Sequence, residues 1–258
     1  MGLNFSGPVR AFLCFEVVAV DLQRVEMLIG SEKLARLQQA YVAVLGLGGV
    51  GSYVAEALCR SGVGRLLLID ADVIAPSNIN RQLPALQCNL GRLKTEVVAE
   101  RLRQINPECQ IKIISRFYEP GDFAEFFASR TEAETVYPDY LADAIDATAS
   151  KVDVIVNACK LGVPLISAMG TGNKLDPTLL RVADISKTSV CPLAKSIRKH
   201  LRSCGIEKGV TVVYSLEQPQ YVQKSNTPGS MVFVPASAGL LMASYIIRQL
   251  IREQEASL

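Results

Sequence analysis

The chain has 258 residues, 49% of them apolar and 20% charged, which excludes a disordered polymer and allows a sizeable core. Its 27 Lys and Arg against 25 Asp and Glu leave a net charge of +2. That excludes a polycation coating nucleic acid along its whole length, though not a local basic patch.

In chain order, residues 11–20 (AFLCFEVVAV) look like a short signal-peptide core, but Glu16 interrupts the apolar run, so secretion is not expected. Residues 1–23 suggest no role. Residues 24–30, Arg24-Val-Glu-Met-Leu-Ile-Gly30, read as an arm whose Met27, Leu28 and Ile29 need a surface to bury against. Residues 41–45 (YVAVL) are a buried strand, followed by a glycine loop and a helix near 50–61. A second strand, 65–69, precedes a helix near 92–105 that Asn106-Pro107 stops. Strands near 109–114 and 140–145 flank an acidic helical stretch, and a helix near 151–161 leads to a strand at 164–167. Continuous apolar strands alternating with helices predict a doubly wound, mainly parallel α/β sheet of the Rossmann type. The later part is looser: strands near 179–184 and 210–215, a helix near 193–204, a polar loop at 217–230 and a last helix. It reads as an irregular α+β extension over 171–258 on a single domain spanning 24–258. Residues 231–247 carry no charge over 17 residues. That is the low edge of a membrane span, but Pro235 and the small residues after it suit a buried helix equally, so no stable membrane insertion is expected.

The loop Gly46-Leu-Gly48-Gly49-Val-Gly51 follows a strand and opens a helix. Glycines let the backbone approach phosphate, and the helix N-terminus offers N–H groups and a positive dipole end. Asp70 ends the next strand, 19 residues after Gly51, where a carboxylate can accept from ribose hydroxyls. A tight turn that binds nothing is the alternative. Asp70-Ala-Asp72 is followed by Ser77-Asn78-Ile79-Asn80-Arg81-Gln82, and Lys94 opens the following helix. A dehydrogenase binding a diphosphate has no use for Arg81 plus Lys94 there; a triphosphate meeting a carboxylate substrate needs such cations. Their other reading is a solvated helix face. Asp146, at the end of the strand YLADAID, stands at the carboxyl edge of the sheet and could hold Mg²⁺ or cap the next helix.

The run GLGGVGS, LLLIDAD, SNINRQ, GRLK and AIDAT resembles the ATP-adenylating family that includes ubiquitin-activating enzymes and bacterial activators of sulfur-carrier proteins. The resemblance covers roughly residues 24–170. It implies that Gly49, Asp70, Ser77, Asn78, Asn80, Arg81, Lys94 and Asp146 contact ATP; with Gly46, Gly48, Gly51, Asp72 and Gln82 beside them these make the expected ATP site, with Mg²⁺ on Asp146. It further implies a homodimer in which Arg24 reaches the neighbouring subunit's site, with Arg24, Arg81, Lys94 and Asp146 serving catalysis. The carrier-activating members usually carry two C-x-x-C pairs for zinc, whereas the seven cysteines here, at 14, 59, 88, 109, 159, 191 and 204, make none. That also argues against a disulfide framework and suits reduced thiols in the cytoplasm.

Residues 184–219 (DISKTSVCPLAKSIRKHLRSCGI…VTVVYSLEQP) resemble instead the branch that dehydrates threonylcarbamoyladenosine in tRNA. The alternative substrate is the C-terminal carboxylate of a ubiquitin-like sulfur-carrier protein, with a sulfur-relay partner. Residues 187–208 hold Lys187, Lys195, Arg198, Lys199, Arg202 and Lys208 against Glu207 alone. On a helix Lys195, Lys199 and Arg202 share one side, suited either to tRNA phosphates or to plain solvation. Cys191 stands where thioester-forming relatives carry a nucleophile, with no evident charged partner. His200, the only histidine, reads as a surface residue.

Overall fold

The computed structural model describes residues 19–130, 135–220 and 227–252. The apolar run at 11–20 and most of the 1–23 segment lie outside the described residues, as does the middle of the 217–230 loop. In order, the elements are α1 (Gln23–Ile29), α2 (Ser31–Gln39), β1 (Tyr41–Leu45), α3 (Gly51–Arg60), β2 (Arg65–Ile69), α4 (Lys94–Ile105) and β3 (Gln110–Ile114). Then come α5 (Phe123–Phe127), β4 (Ser129–Arg130), β5 (Thr135–Val136), β6 (Tyr140–Asp143), α6 (Thr148–Leu161) and β7 (Leu165–Ala168). The chain continues through β8 (Leu180–Asp184), α7 (Pro192–Ser203), β9 (Thr211–Ser215) and α8 (Phe233–Leu250).

Seven strands form one sheet in the order β3-β2-β1-β6-β7-β9-β8, parallel except for β8. β1 pairs with β2 on one side and β6 on the other. The chain therefore reverses its winding between β1 and β6, and a crevice opens there at the carboxyl ends, the usual ligand position in such sheets. Alternate residues feed two cores. Val42, Val44, Leu66 and Leu68 pack under α3, α4 and α8. Ala43, Leu45, Leu67 and Ile69 pack under α5, α6 and α7. Strands buried on both faces explain why their sequences are continuous apolar runs.

The expected extension is part of this sheet: β9 runs parallel to β7, and β8 adds an antiparallel edge. Among the described residues, the acidic stretch between β3 and β6 forms the five-residue α5 and the short pair β4–β5. Its three phenylalanines, Phe123, Phe126 and Phe127, are all buried. The segment around Arg24 is the helix α1, on which Met27 and Leu28 are 81% and 84% exposed.

The apolar segment at 231–247 falls on α8, the one helix among the described residues long and apolar enough to cross a membrane. It packs on α3 and the sheet through Val234, Pro235, Ala238, Gly239, Met242, Ala243 and Ile246. A Cβ on Gly239 would fall 2.4 Å from the Val50 carbonyl oxygen, so the close approach of the two helices requires glycine.

Candidate nucleotide site

A cavity of about 580 Å³ occupies the crevice. One wall is the glycine loop, with Gly46, Gly48, Gly49 and Val50; a second is 69–72 at the end of β2. Residues 116–119 after β3 and 144–147 after β6 close two further sides, and Thr171, Ser230 and Pro235 complete the rim. Gly51 lies behind the loop. A Cβ there would fall 1.7 Å from the Gly46 carbonyl oxygen, so only glycine lets α3 begin so close under the turn. The N-terminus of α3 thus faces the cavity and favours an anion.

Asp70 braces this loop. Its Oδ2 accepts from Leu47 N at 2.7 Å and its Oδ1 from Asp72 N at 2.8 Å. Burial nevertheless raises its carboxyl above the ordinary range, against the pull of Lys94 and the two N–H groups. Lys94, the first residue of α4, is buried and donates to Asp72 Oδ2 at 2.6 Å, with Asp70 Oδ2 3.9 Å away. The two carboxylates at the end of β2 and the lysine at the start of α4 form one cluster at the cavity wall.

Of the other candidates, Asn78, Arg81, Gln82 and Asp146 also line the cavity. Ser77 and Asn80 stand behind Arg81: its Nη1 donates to Ser77 O at 2.9 Å and to Asn80 Oδ1 at 3.0 Å. Asn80 in turn donates to Ser230 O at 2.8 Å, tying the rim to the Arg81 turn. Gln82 is buried and its Oε1 has no hydrogen-bond partner among the described residues. A buried acceptor left open on a cavity wall suits a ligand donor.

Asp146 is exposed and has no ion-pair partner among the described residues. One free carboxylate beside a glycine loop and a helix N-terminus could hold Mg²⁺, which takes few protein ligands when phosphate oxygens supply the rest. No cluster of three or more His, Cys, Asp or Glu that could hold a metal occurs among the described residues.

Arg24 does not line this cavity within its own chain. Leu22, beside it, packs at Gly62 beyond the far end of α3. Sequence reading missed the 116–119 wall, where Phe117 is 69% exposed at the mouth and Tyr118 donates to Asp153. It also missed Ser150, which donates to Tyr118 O at 2.9 Å. Nothing local marks these residues, because only the strand order brings them to the nucleotide crevice.

Helix α7 starts at the same edge: the Cys191 Sγ and Leu193 Cβ lie within 4 Å of a Cβ built on Gly170, just past β7. Ala194, Ile197 and Leu201 are buried, while Lys195, Lys199 and Arg202 are exposed together. Arg198 is spent internally, donating to Thr188 O at 3.0 Å. Cys191 is buried in the core under α7 and does not line the cavity; His200 is exposed.

A doubly wound sheet with a glycine loop, paired acids at the end of β2 and cations at its edge defines a nucleotide-binding α/β protein. Residues 22–258 match the ThiF family model, and the chain belongs to that family. It is 40% identical over 251 residues to the tRNA threonylcarbamoyladenosine dehydratase of Bacillus subtilis, covering 91% of this chain and 96% of that protein. The crystal structure of the Escherichia coli tRNA N6-threonylcarbamoyladenosine dehydratase in complex with ATP superposes with a TM-score of 0.82 at 35% identity. That match covers 89% of this chain and 93% of the other. The adenylyltransferase and sulfurtransferase uba4 of Aspergillus niger is 31% identical over 140 residues, covering 54% of this chain and 27% of that protein.

Proposed function

We propose that the protein is an ATP-dependent tRNA threonylcarbamoyladenosine dehydratase. The observation that carries this reading is a relative of that name matched along nearly its whole length, together with a cavity whose walls suit ATP. A sulfur-carrier protein as substrate has weaker support, since the matched adenylyltransferase is similar over about half of this chain.

In this reading the base's threonyl carboxylate attacks the α-phosphorus of ATP and pyrophosphate leaves. An internal nucleophile of the same base then attacks the acyl carbon, loses its proton and expels AMP, which carries away the carboxylate oxygen, so that the base loses the elements of water and no free water is released. The glycine loop and the N-terminus of α3 hold the phosphates. Lys94 and Arg81 offset charge that builds as pyrophosphate departs, and Asp70 and Asp72 face the ribose. Mg²⁺, held by Asp146 and phosphate oxygens, would supply further charge neutralisation. Lys195 and Lys199 on α7 offer phosphate contacts to tRNA, with 171–258 forming the substrate side.

Arg24 and the exposed Met27 and Leu28 suit a homodimer, each α1 covering a partner surface and lending its arginine to the partner's site. A cytoplasmic location follows from the substrate. The decisive experiment is ATP–pyrophosphate exchange with purified protein. Exchange should require tRNA bearing threonylcarbamoyladenosine; exchange driven instead by a sulfur-carrier protein would overturn the reading.

A further inference from the structure

Beneath the cavity lies a charged group that the nucleotide reading does not use. Lys151 of α6 pairs with Asp143, the last residue of β6, Nζ to Oδ2 2.8 Å, and both side chains are wholly excluded from solvent. Ser167 of β7 donates its hydroxyl to the same Asp143 oxygen at 2.7 Å and accepts from Lys151 at 3.0 Å. The ammonium's third bond goes to Ala168 O at 3.0 Å. Asp143 Oδ1 accepts from Ile145 N at 3.2 Å. All three ammonium protons and both carboxylate oxygens are therefore engaged.

Stability alone is a poor reason for such a cage. Desolvating two charges offsets much of their attraction, and apolar side chains of similar volume often hold a core as well. Directional bonds supply geometry instead. The cage spans the ends of two neighbouring strands and the first turn of a helix. On one side it shapes the 144–147 turn, whose Ala144 donates to Leu45 O at 2.8 Å beside the glycine loop and which carries Asp146. On the other it grips Ala168, three residues before Thr171 on the cavity rim. None of the three cage residues lines the cavity.

We propose that Asp143, Lys151 and Ser167 are positioning residues for the ATP chemistry: their cage sets the 144–147 turn, with Asp146, against the 169–171 turn, with Thr171. This rests on the reading of the cavity as an ATP-activating site. An error of about 1 Å in such a setting can cost on the order of a hundredfold in rate.

The test compares wild type, the charge-free double variant Asp143→Asn/Lys151→Met, and the milder Ser167→Ala. Four quantities are read: melting temperature, amide exchange at 144–147 and 169–171, the KM for ATP, and kcat for tRNA-dependent pyrophosphate release. The double variant should lose roughly ten- to a hundredfold in kcat and Ser167→Ala several-fold. The KM for ATP should stay within about threefold, the melting temperature should change little, and faster exchange should be confined to the two turns. Wild-type kcat in either folded variant, or a kcat loss matched by loss of folded protein, overturns the proposal. If the double variant does not fold, Ser167→Ala alone decides on the same criteria. Wild-type protein that turns over no tRNA but catalyses ATP–pyrophosphate exchange with a sulfur-carrier protein would sink the tRNA reading, and the variants' loss in that exchange would then decide the cage on the same criteria.

Discussion

Lys94 and Asp72 are joined by a 2.6 Å ion pair across the wall of the nucleotide cavity. The lysine on the cavity wall is thus already paired with a carboxylate. That keeps a buried cation tolerable before a nucleotide arrives.

Lys94→Ala should therefore act twice. It should lower kcat/KM by about a hundred- to a thousandfold, the scale of losing an electrostatic stabiliser of the transition state. It should also push the Asp70 carboxyl further up, because Lys94 is the cation that opposes its burial. Asp72→Ala added to Lys94→Ala should recover thermal stability but not turnover. Steady-state kinetics and melting curves on the three proteins check this; recovery of turnover in the double variant would remove Lys94 from the chemistry.

Replacing Lys195, Lys199 and Arg202 with Glu should weaken tRNA binding and flatten its dependence on salt, since each lost phosphate contact removes released counterions. ATP binding should be unchanged. Filter binding from low to moderate salt measures both; an unaltered salt slope would make α7 a solvated face.

Arg24→Ala and Lys94→Ala proteins should each be nearly inactive alone. If subunits exchange freely, mixing them should restore up to about a quarter of wild-type activity, because half the dimers are mixed and each keeps one intact site. Native mass spectrometry establishes whether mixed dimers form. Mixed dimers without recovered activity would mean that Arg24 does not serve the partner.

Glu56 on α3 receives Arg101 of α4 and Arg60 of its own helix. Burial alone would raise its carboxyl, but the hydrogen bonds from Arg101 and Arg60 outweigh it and hold the group below its usual 4.5. The folded value is the depressed one, so its contribution is present above the unfolded value and is lost as pH falls through the folded value. Glu56→Gln should cost about 0.5–1 kcal/mol at neutral pH, limited by the partly exposed arginines. The cost should fade in acid. Urea melts at neutral and acid pH test this; a penalty independent of pH would exclude an electrostatic origin.

Much of the fold and cradle was legible in the sequence because it is local. A five-residue apolar strand, a glycine loop opening a helix and an acid ending the next strand need only neighbours along the chain, and Gly46 to Gly51, Asp70 and Lys94 stand out in the sequence that way. The basic face of α7 followed equally from helical spacing. Tertiary structure alone decided how distant residues meet. The uncharged run in α8 suits a membrane or a core equally until α3 comes close enough to require Gly239. The arm around Arg24 takes the form of a helix, α1, only in three dimensions, where Met27 and Leu28 stay exposed. Asp143, Lys151 and Ser167 are 8 to 24 residues apart, and no local pattern distinguishes them from an ordinary acid, a surface lysine and a strand serine. Only the pairing of β6 with β7, with α6 packed over it, removes water from all three, and without water their charges and hydroxyl must satisfy one another.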